Sequence, residues 1–289
     1  MMTLELAGLA GICLSIIVAN LEQRQRDSLA LPALSLVPRS KIDRFWHFVG
    51  ALCHRLDDHQ RARFEPGNLV HRLATVLIVM YAALVFARLS QGEDTSGISI
   101  LAADELGRIL QLATTIVAYL GLALLGAGWL TRRSFAAVIQ RLDLRSPNRR
   151  DWLEGLVLAS GLFLLAQAGV ALWARSAPPA VFEMQTFAAR QIFESFNVSL
   201  AAGLFLALTS AVGEEILFRG ALQPVFGIVI SSLFFVLLHT QYFLTPAALI
   251  LFAISLGFGW LRYRRCTSAA IICHAAYNLL PFLIHRLAG

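Results

Sequence analysis

Long apolar runs alternate with short polar stretches along this chain. The runs lie near 4–20, 69–87, 109–130, 152–174, 198–219, 224–242, 246–261 and 267–285. Each approaches the roughly 17 to 25 residues that a helix needs to cross a bilayer. About eight transmembrane helices are therefore expected, in an all-α, polytopic membrane bundle, since a spanning helix satisfies its own backbone polar groups. The last four runs are joined by almost no loop.

Amphipathic pieces sit between the runs. In the longest insertion, 20–68, the stretch "KIDRFWHFVGALCHRLDDH" places Ile42, Phe45, Trp46, Val49, Leu52 and Leu56 at helical spacing. This predicts a helix lying in the membrane interface with Trp46 at the headgroup level. A second such stripe is Phe135, Val138, Ile139 and Leu142 in "RSFAAVIQRLDLR". Both are read as orienting the bundle rather than recognising a ligand. The segment "PPAVFEMQTFAARQIFESFN" opens on Pro178 and Pro179, then resumes an apolar rhythm through Phe182, Phe187, Ile192 and Phe196. A helix capping the outer side of the bundle is expected there. Gly257 and Gly259 follow no strand, so close helix packing is the expected role rather than a nucleotide loop. No internal repeat is visible. The organisation expected is 1–150 as N-terminal transmembrane helices with cytoplasmic interfacial segments and 151–289 as a second transmembrane core.

Composition agrees with the pattern: 57% of residues are hydrophobic and 15% charged, with a mean hydropathy of +0.67, far from the balance of a soluble domain. "MMTLE" lacks a basic n-region, so the first run reads as a retained anchor. Basic residues give the orientation, because Lys and Arg concentrate in cytoplasmic loops. Arg24, Arg26, Arg39, Lys41, Arg44, Arg55, Arg61 and Arg63 precede the second run. Arg132, Arg133, Arg141, Arg145, Arg149 and Arg150 follow the third, and Arg262, Arg264 and Arg265 the seventh. The intervening loops hold Arg88, Arg108, Arg175 and Arg190 beside Glu93, Asp94, Asp104 and Glu105. Both termini are thus expected outside, in a bacterial inner or plasma membrane. The sequence pI of about 9.6 follows from topology and calls for no nucleic acid. Cys13, Cys53, Cys266 and Cys273 form no CxxC pair and are read as packing residues.

Ionisable and amide side chains at membrane depth are costly and mark functional sites by default. The last four runs hold Glu214, Glu215, Arg219, His239, His274 and Asn278. Glu215 and Arg219 are at i and i+4, the spacing of an ion pair along one helix face. Glu214 is rotated by about 100° from its neighbour and is left to face a cavity. Phe235 and His239 share a face at the same spacing, as do His274 and Asn278. A carboxylate in a poorly solvated cavity has a raised pKa and suits a general base. An imidazole and an amide one turn apart can meet a developing oxyanion. Hydrolysis is the chemistry this set supports.

Three motifs carry a family resemblance: "EEILFR" is EExxxR, "FVLLH" is FxxxH and "HAAYN" is HxxxN, in order and each in a span. Over roughly 150–285 the chain resembles the CPBP intramembrane proteases, the type II CaaX prenyl endopeptidase or abortive-infection family. The resemblance implies an eight-span bundle with an intramembrane catalytic cavity. It implies that Glu214 activates water with His239, that His274 and Asn278 stabilise the oxyanion, and that Glu215, Arg219 and Phe235 shape the site. The implied substrate is a membrane-associated peptide or protein, prenylated or a precursor. No HExxH pair is present. Catalysis without a metal or other cofactor is expected, and zinc would need Glu214, His239 and His274 together. The competing readings are a proton- or ion-coupled transporter and a non-catalytic peptide-binding or immunity protein.

Straight antiparallel spans turning between 219 and 224 would leave Glu214 and His239 at different depths. A tilt, or a break near Gly213 or Pro224, is expected to bring them together.

Overall fold

The structure is a computed structural model, described here for residues 2–28, 41–57, 63–90, 105–196, 200–242 and 244–288. Helices α1 (Met2–Ser28), α2 (Lys41–Leu56), α3 (Leu69–Ser90), α4 (Glu105–Gly126), α5 (Phe135–Arg141), α6 (Arg149–Ser176) and α7 (Pro179–Phe196) come first. Then follow α8 (Leu200–Glu215), a π-helical segment (Ile216–Leu222), α9 (Gln223–Leu238), a 3-10 turn (Thr240–Tyr242), α10 (Pro246–Arg264) and α11 (Thr267–Ala288). The fold is all-α, and no strand occurs among the described residues.

Five helical stretches among the described residues are long and apolar enough to span a membrane. Four coincide with the expected runs in α3, α6, α10 and α11, and the fifth, Leu200–Leu238, carries two expected runs in one 39-residue stretch. The remaining expected runs fall in α1 and α4, where the apolar part of α4 is the shorter Leu112–Gly126. The chain is an integral, multi-pass membrane protein; the count of eight spans is not reproduced helix by helix.

The 39-residue stretch is a hairpin. Phe218 meets Phe234 and Phe235 at ring-centroid distances of 5.7 and 5.1 Å, whereas about 16 residues of straight helix would hold them some 24 Å apart. The one residue inside α9 with non-helical torsions is Gly227, at φ 81° and ψ 171°. That region is open essentially to glycine alone. Gly227 lies thirteen residues after Glu214 and twelve before His239, so the two arms bring both side chains to one depth. The expected break thus sits three residues past Pro224. Gly213 is no break: it is helical, and a Cβ there would stand 3.0 Å from Ile116 of α4.

The interfacial helix forms as α2, but its faces differ from expectation. Ile42, Phe45, Phe48, Leu52 and Leu56 are exposed, while Trp46 is buried with Cys53 and Phe64. Trp46 stacks on Phe64 and carries Arg72 over its ring at 5.4 Å, so it anchors α2 to the bundle rather than to headgroups. In α5 the stripe splits: Phe135 is exposed, whereas Val138 and Leu142 are fully buried in one core with Ile216, Leu217, Phe218 and Phe235. The helix after Pro178 forms as α7, with Phe182 edge-on to Trp173 at 4.9 Å and Phe193 stacked on Phe282 at 4.9 Å. Gly257 and Gly259 do mark close approaches. A Cβ at Gly257 would lie 2.8 Å from Leu162 of α6, and one at Gly259 2.7 Å from Ile228 of α9.

The basic segments meet at one end of the bundle. Arg24 donates to the Thr131 carbonyl at 3.0 Å, Arg63 N–H to the Pro224 carbonyl at 3.0 Å, and Tyr263 to Asp57. Asn148 and Asp151 form a reciprocal N-terminal cap on α6. Arg145 and Arg265 hold the buried Asp151 at 2.7 and 2.8 Å. These are the segments expected on the inner side. Arg39 and Arg61, and the acids Glu93, Asp94 and Asp104 expected outside, lie outside the described residues.

Candidate active site

The site is built on α8, the π segment, the second arm of the hairpin, α10 and α11. Widening of the helix after Glu215 leaves backbone carbonyls free for side chains. Arg262 Nε donates to the Arg219 carbonyl at 3.3 Å and Arg141 Nη1 to the Gly220 carbonyl at 3.4 Å. Gly220 permits this approach, since a Cβ there would be 3.2 Å from Leu142.

Glu215 and Arg219 are both fully buried, with Arg219 Nε 3.2 Å from Glu215 Oε2. The charges pair, but the N–H is not aimed for a hydrogen bond. Arg219 Nη2 instead donates to the Ser255 carbonyl and hydroxyl, each at 3.1 Å. The rings of Phe218, Phe235 and Phe258 surround the guanidinium at 5.8, 5.0 and 5.8 Å, an arrangement favourable to a desolvated cation. The expected ion pair is therefore present. Glu215 has a second partner that the spacing did not reveal: its Oε1 lies 2.8 Å from His274 Nδ1.

Glu214 points elsewhere, as its rotation requires. Its Oε2 is buried, has no hydrogen-bond partner among the described residues, and lies 3.9 Å from His239 Nε2. His239 terminates α9, and its Nδ1 contacts the Phe235 carbonyl at 2.8 Å. A carbonyl only accepts, so Nδ1 carries a proton and Nε2 of the neutral ring is the basic nitrogen facing Glu214. Phe235 stacks on His239 at 4.5 Å and stands edge-on to His274 at 6.1 Å. It is thus the wall between the two imidazoles. His274 is also stacked on Phe258 at 4.6 Å.

Asn278 Nδ2 donates to Ser210 Oγ of α8 at 3.0 Å. Ser210 and Ser255 were readable as polar residues in apolar runs, but serine in a helix ordinarily bonds its own backbone, as Ser210 also does with the Leu206 carbonyl at 2.7 Å. The contact across helices left no mark on the sequence.

For a metal, the three groups Glu214, His239 and His274 would have to converge. Among the described residues no three His, Cys, Asp or Glu side chains are placed to share an ion. His274 Nδ1 is taken by Glu215, and the ring is walled from His239 by Phe235.

Residues 196–280 match the family model described as type II CAAX prenyl endopeptidase Rce1-like. No curated protein and no solved structure matches the chain. The matched segment runs from the end of α7 through His274 and Asn278 and so contains all three motifs. Over that segment the chain is similar to the type II CAAX prenyl endopeptidases.

Proposed function

We propose that this protein hydrolyses a peptide bond of a membrane-associated peptide or protein, prenylated or a precursor, with water activated by Glu214 and His239. The observation that carries the reading is the meeting of those two side chains across the Gly227 hairpin at 3.9 Å. Two acceptors at that separation suit one water donating to both at about 2.8 Å. The Glu214 carboxylate takes the water's proton as the oxygen attacks the scissile carbonyl, and His239 shares the orienting. His274 and Asn278 are assigned to the oxyanion. With Nδ1 donated to Glu215, His274 can donate from Nε2 only as an imidazolium. Glu215 is placed against both His274 and Arg219, at 2.8 and 3.2 Å.

No metal step is invoked; the chain's own groups supply base, orientation and donors. The test is turnover of a quenched peptide library by the purified protein. Glu214→Gln and His239→Ala are expected to lose on the order of 100-fold or more, the usual contribution of a positioned base. Equal turnover in wild type and both variants would sink the assignment. A strong zinc chelator is expected to leave the rate unchanged, and loss restored by added zinc would overturn the metal-free reading.

A further inference from the structure

A second feature lies outside this set of groups. A cavity of about 640 Å³ opens between α1, α3, α4, the π segment and α9, within the size range of small-molecule sites. Its upper wall is apolar, with Ile78, Leu122, Leu217, Phe234 and Leu238. This end abuts the proposed active site: Leu238 precedes His239, and Tyr119, another lining residue, packs against Gly213 beside Glu214.

The floor is cationic. Among the described residues, Arg63, Arg133 and Arg141 line it with one carboxylate, that of Glu65. Four nearby arginines have acids: Arg145 and Arg265 hold Asp151, Arg262 holds Asp143 and Arg264 holds Glu154. Arg133 and Arg141 differ. Arg133 Nη1 donates to the Ala127 carbonyl at 2.5 Å and Arg141 Nη1 to the Gly220 carbonyl at 3.4 Å. Carbonyls satisfy hydrogen bonds but leave the charge standing. Burial, and then the charges of Arg133, Arg262 and Arg63, push the Arg141 guanidinium down to about 10, opposed by Glu65. His71 adds a donor: its Nδ1 accepts from the Glu65 N–H at 3.0 Å, so the neutral ring carries its proton on Nε2. The arginines are held in place by a tight turn in which the Gly128 carbonyl accepts from the N–H groups of Thr131, Arg132 and Arg133 at 3.3, 2.9 and 3.0 Å.

We propose that this cavity binds an anionic membrane phospholipid, its phosphate on Arg63, Arg133 and Arg141 and one acyl chain along the apolar wall towards Leu217 and Leu238. A peptide is the poorer occupant. Its amides would face a mainly hydrocarbon wall that offers few partners, and unsatisfied amides there are costly. An acyl chain carries no such groups. The basic floor belongs to the end of the bundle where the arginines gather, which is where an anionic leaflet presents phosphate.

The test is native mass spectrometry of the intact protein in mild detergent, titrated with phosphatidylglycerol, phosphatidylcholine or inorganic phosphate. Retention of phosphatidylglycerol over phosphatidylcholine is expected. Arg133→Gln and Arg141→Gln should each weaken it about tenfold, the scale of one charge-assisted hydrogen bond. Arg141→Lys keeps charge and is expected to bind more tightly than Arg141→Gln, which separates lost recognition from a folding defect. Glu214→Gln should bind like wild type, so failure of the catalytic assignment leaves this result readable. Equal retention of both lipids, or unchanged retention in the arginine variants, would overturn the proposal. Displacement of lipid by inorganic phosphate alone would assign the floor to free phosphate, and displacement by a free C-terminal peptide would assign it to the substrate's tail. Either of these would also overturn it.

Discussion

Removing the charge of Glu215 is expected to cost more than removing that of Arg219, although the two form one ion pair. At 3.2 Å and an effective dielectric of about 20, the direct attraction is about 5 kcal/mol. Breaking a buried pair by deleting one partner costs about 3 to 5 kcal/mol, because the survivor is left charged and desolvated. The survivors differ here. After Arg219→Met the Glu215 carboxylate keeps His274 Nδ1 at 2.8 Å, and a proton on that ring can compensate it. After Glu215→Gln the guanidinium keeps as contacts the neutral oxygens of Ser255 and three aromatic faces, with the charge of Glu214 acting on it without an ion-pair contact. Thermal unfolding in detergent reads the difference. Glu215→Gln should lower the melting temperature by about 6 to 20 °C, at roughly 2 to 4 °C per kcal/mol for a chain of this order, and Arg219→Met by visibly less. The double variant should recover much of the loss, since both charges leave together. Equal losses, the reverse order, or a Glu215→Gln protein melting within about 2 °C of wild type would refute the reasoning.

Gly227→Ala should cost about 1 to 3 kcal/mol, because φ 81° and ψ 171° are closed to a side chain; loss of turnover should accompany the lower melting temperature, since the turn sets the heights of Glu214 and His239. Gly259→Ala should cost a similar 1 to 3 kcal/mol, as the new Cβ would meet Ile228 at 2.7 Å and Gln223 at 2.9 Å. Ser210→Ala removes the 3.0 Å contact that fixes Asn278; kcat should fall about tenfold with KM unchanged and stability within about 1.5 kcal/mol. Trp46→Ala should cost about 3 to 5 kcal/mol while Phe48→Ala, on the exposed face, stays near 0.5 kcal/mol, which checks by unfolding that α2 is anchored through Trp46.

Apolar run length sufficed for the class of fold, and helical spacing for the Glu215–Arg219 pair, because both depend on residues near one another in sequence. The same spacing separated Glu214 from its neighbour correctly. Spacing could not choose among Gly213, Pro224 and Gly227 as the point of reversal, since each is a plausible breaker and only the backbone torsion distinguishes them. Contacts between helices were equally hidden: nothing local connects His274 to Glu215 or Asn278 to Ser210. The burial of Trp46 and Leu142 shows a further limit. An amphipathic stripe reports which face is apolar, but protein and lipid are both apolar partners, and the stripe alone does not say which of them it meets.

One consequence of the α5–α6 connection bears on how two motifs far apart in sequence stay in register. Thr267, the first residue of α11, donates its hydroxyl to the Leu142 carbonyl at 2.7 Å and its N–H to the Asp143 carbonyl at 3.2 Å. Ser268 and Arg145 exchange two further bonds, at 3.1 and 2.7 Å. On its other side the same stretch packs Leu142 against Gly220 and ties Arg141 to the Gly220 carbonyl. The height of α11 relative to the π segment is therefore set by residues 141–145, with the nearest ties six residues from His274 and five from Glu215. A slip of one residue in either helix would move its side chains by about 1.5 Å and 100°, enough to part the 2.8 Å contact between them. Arginines expected mainly to orient the chain in the membrane thus help hold a buried carboxylate against its imidazole, and the N-terminal half takes part in the geometry of the site.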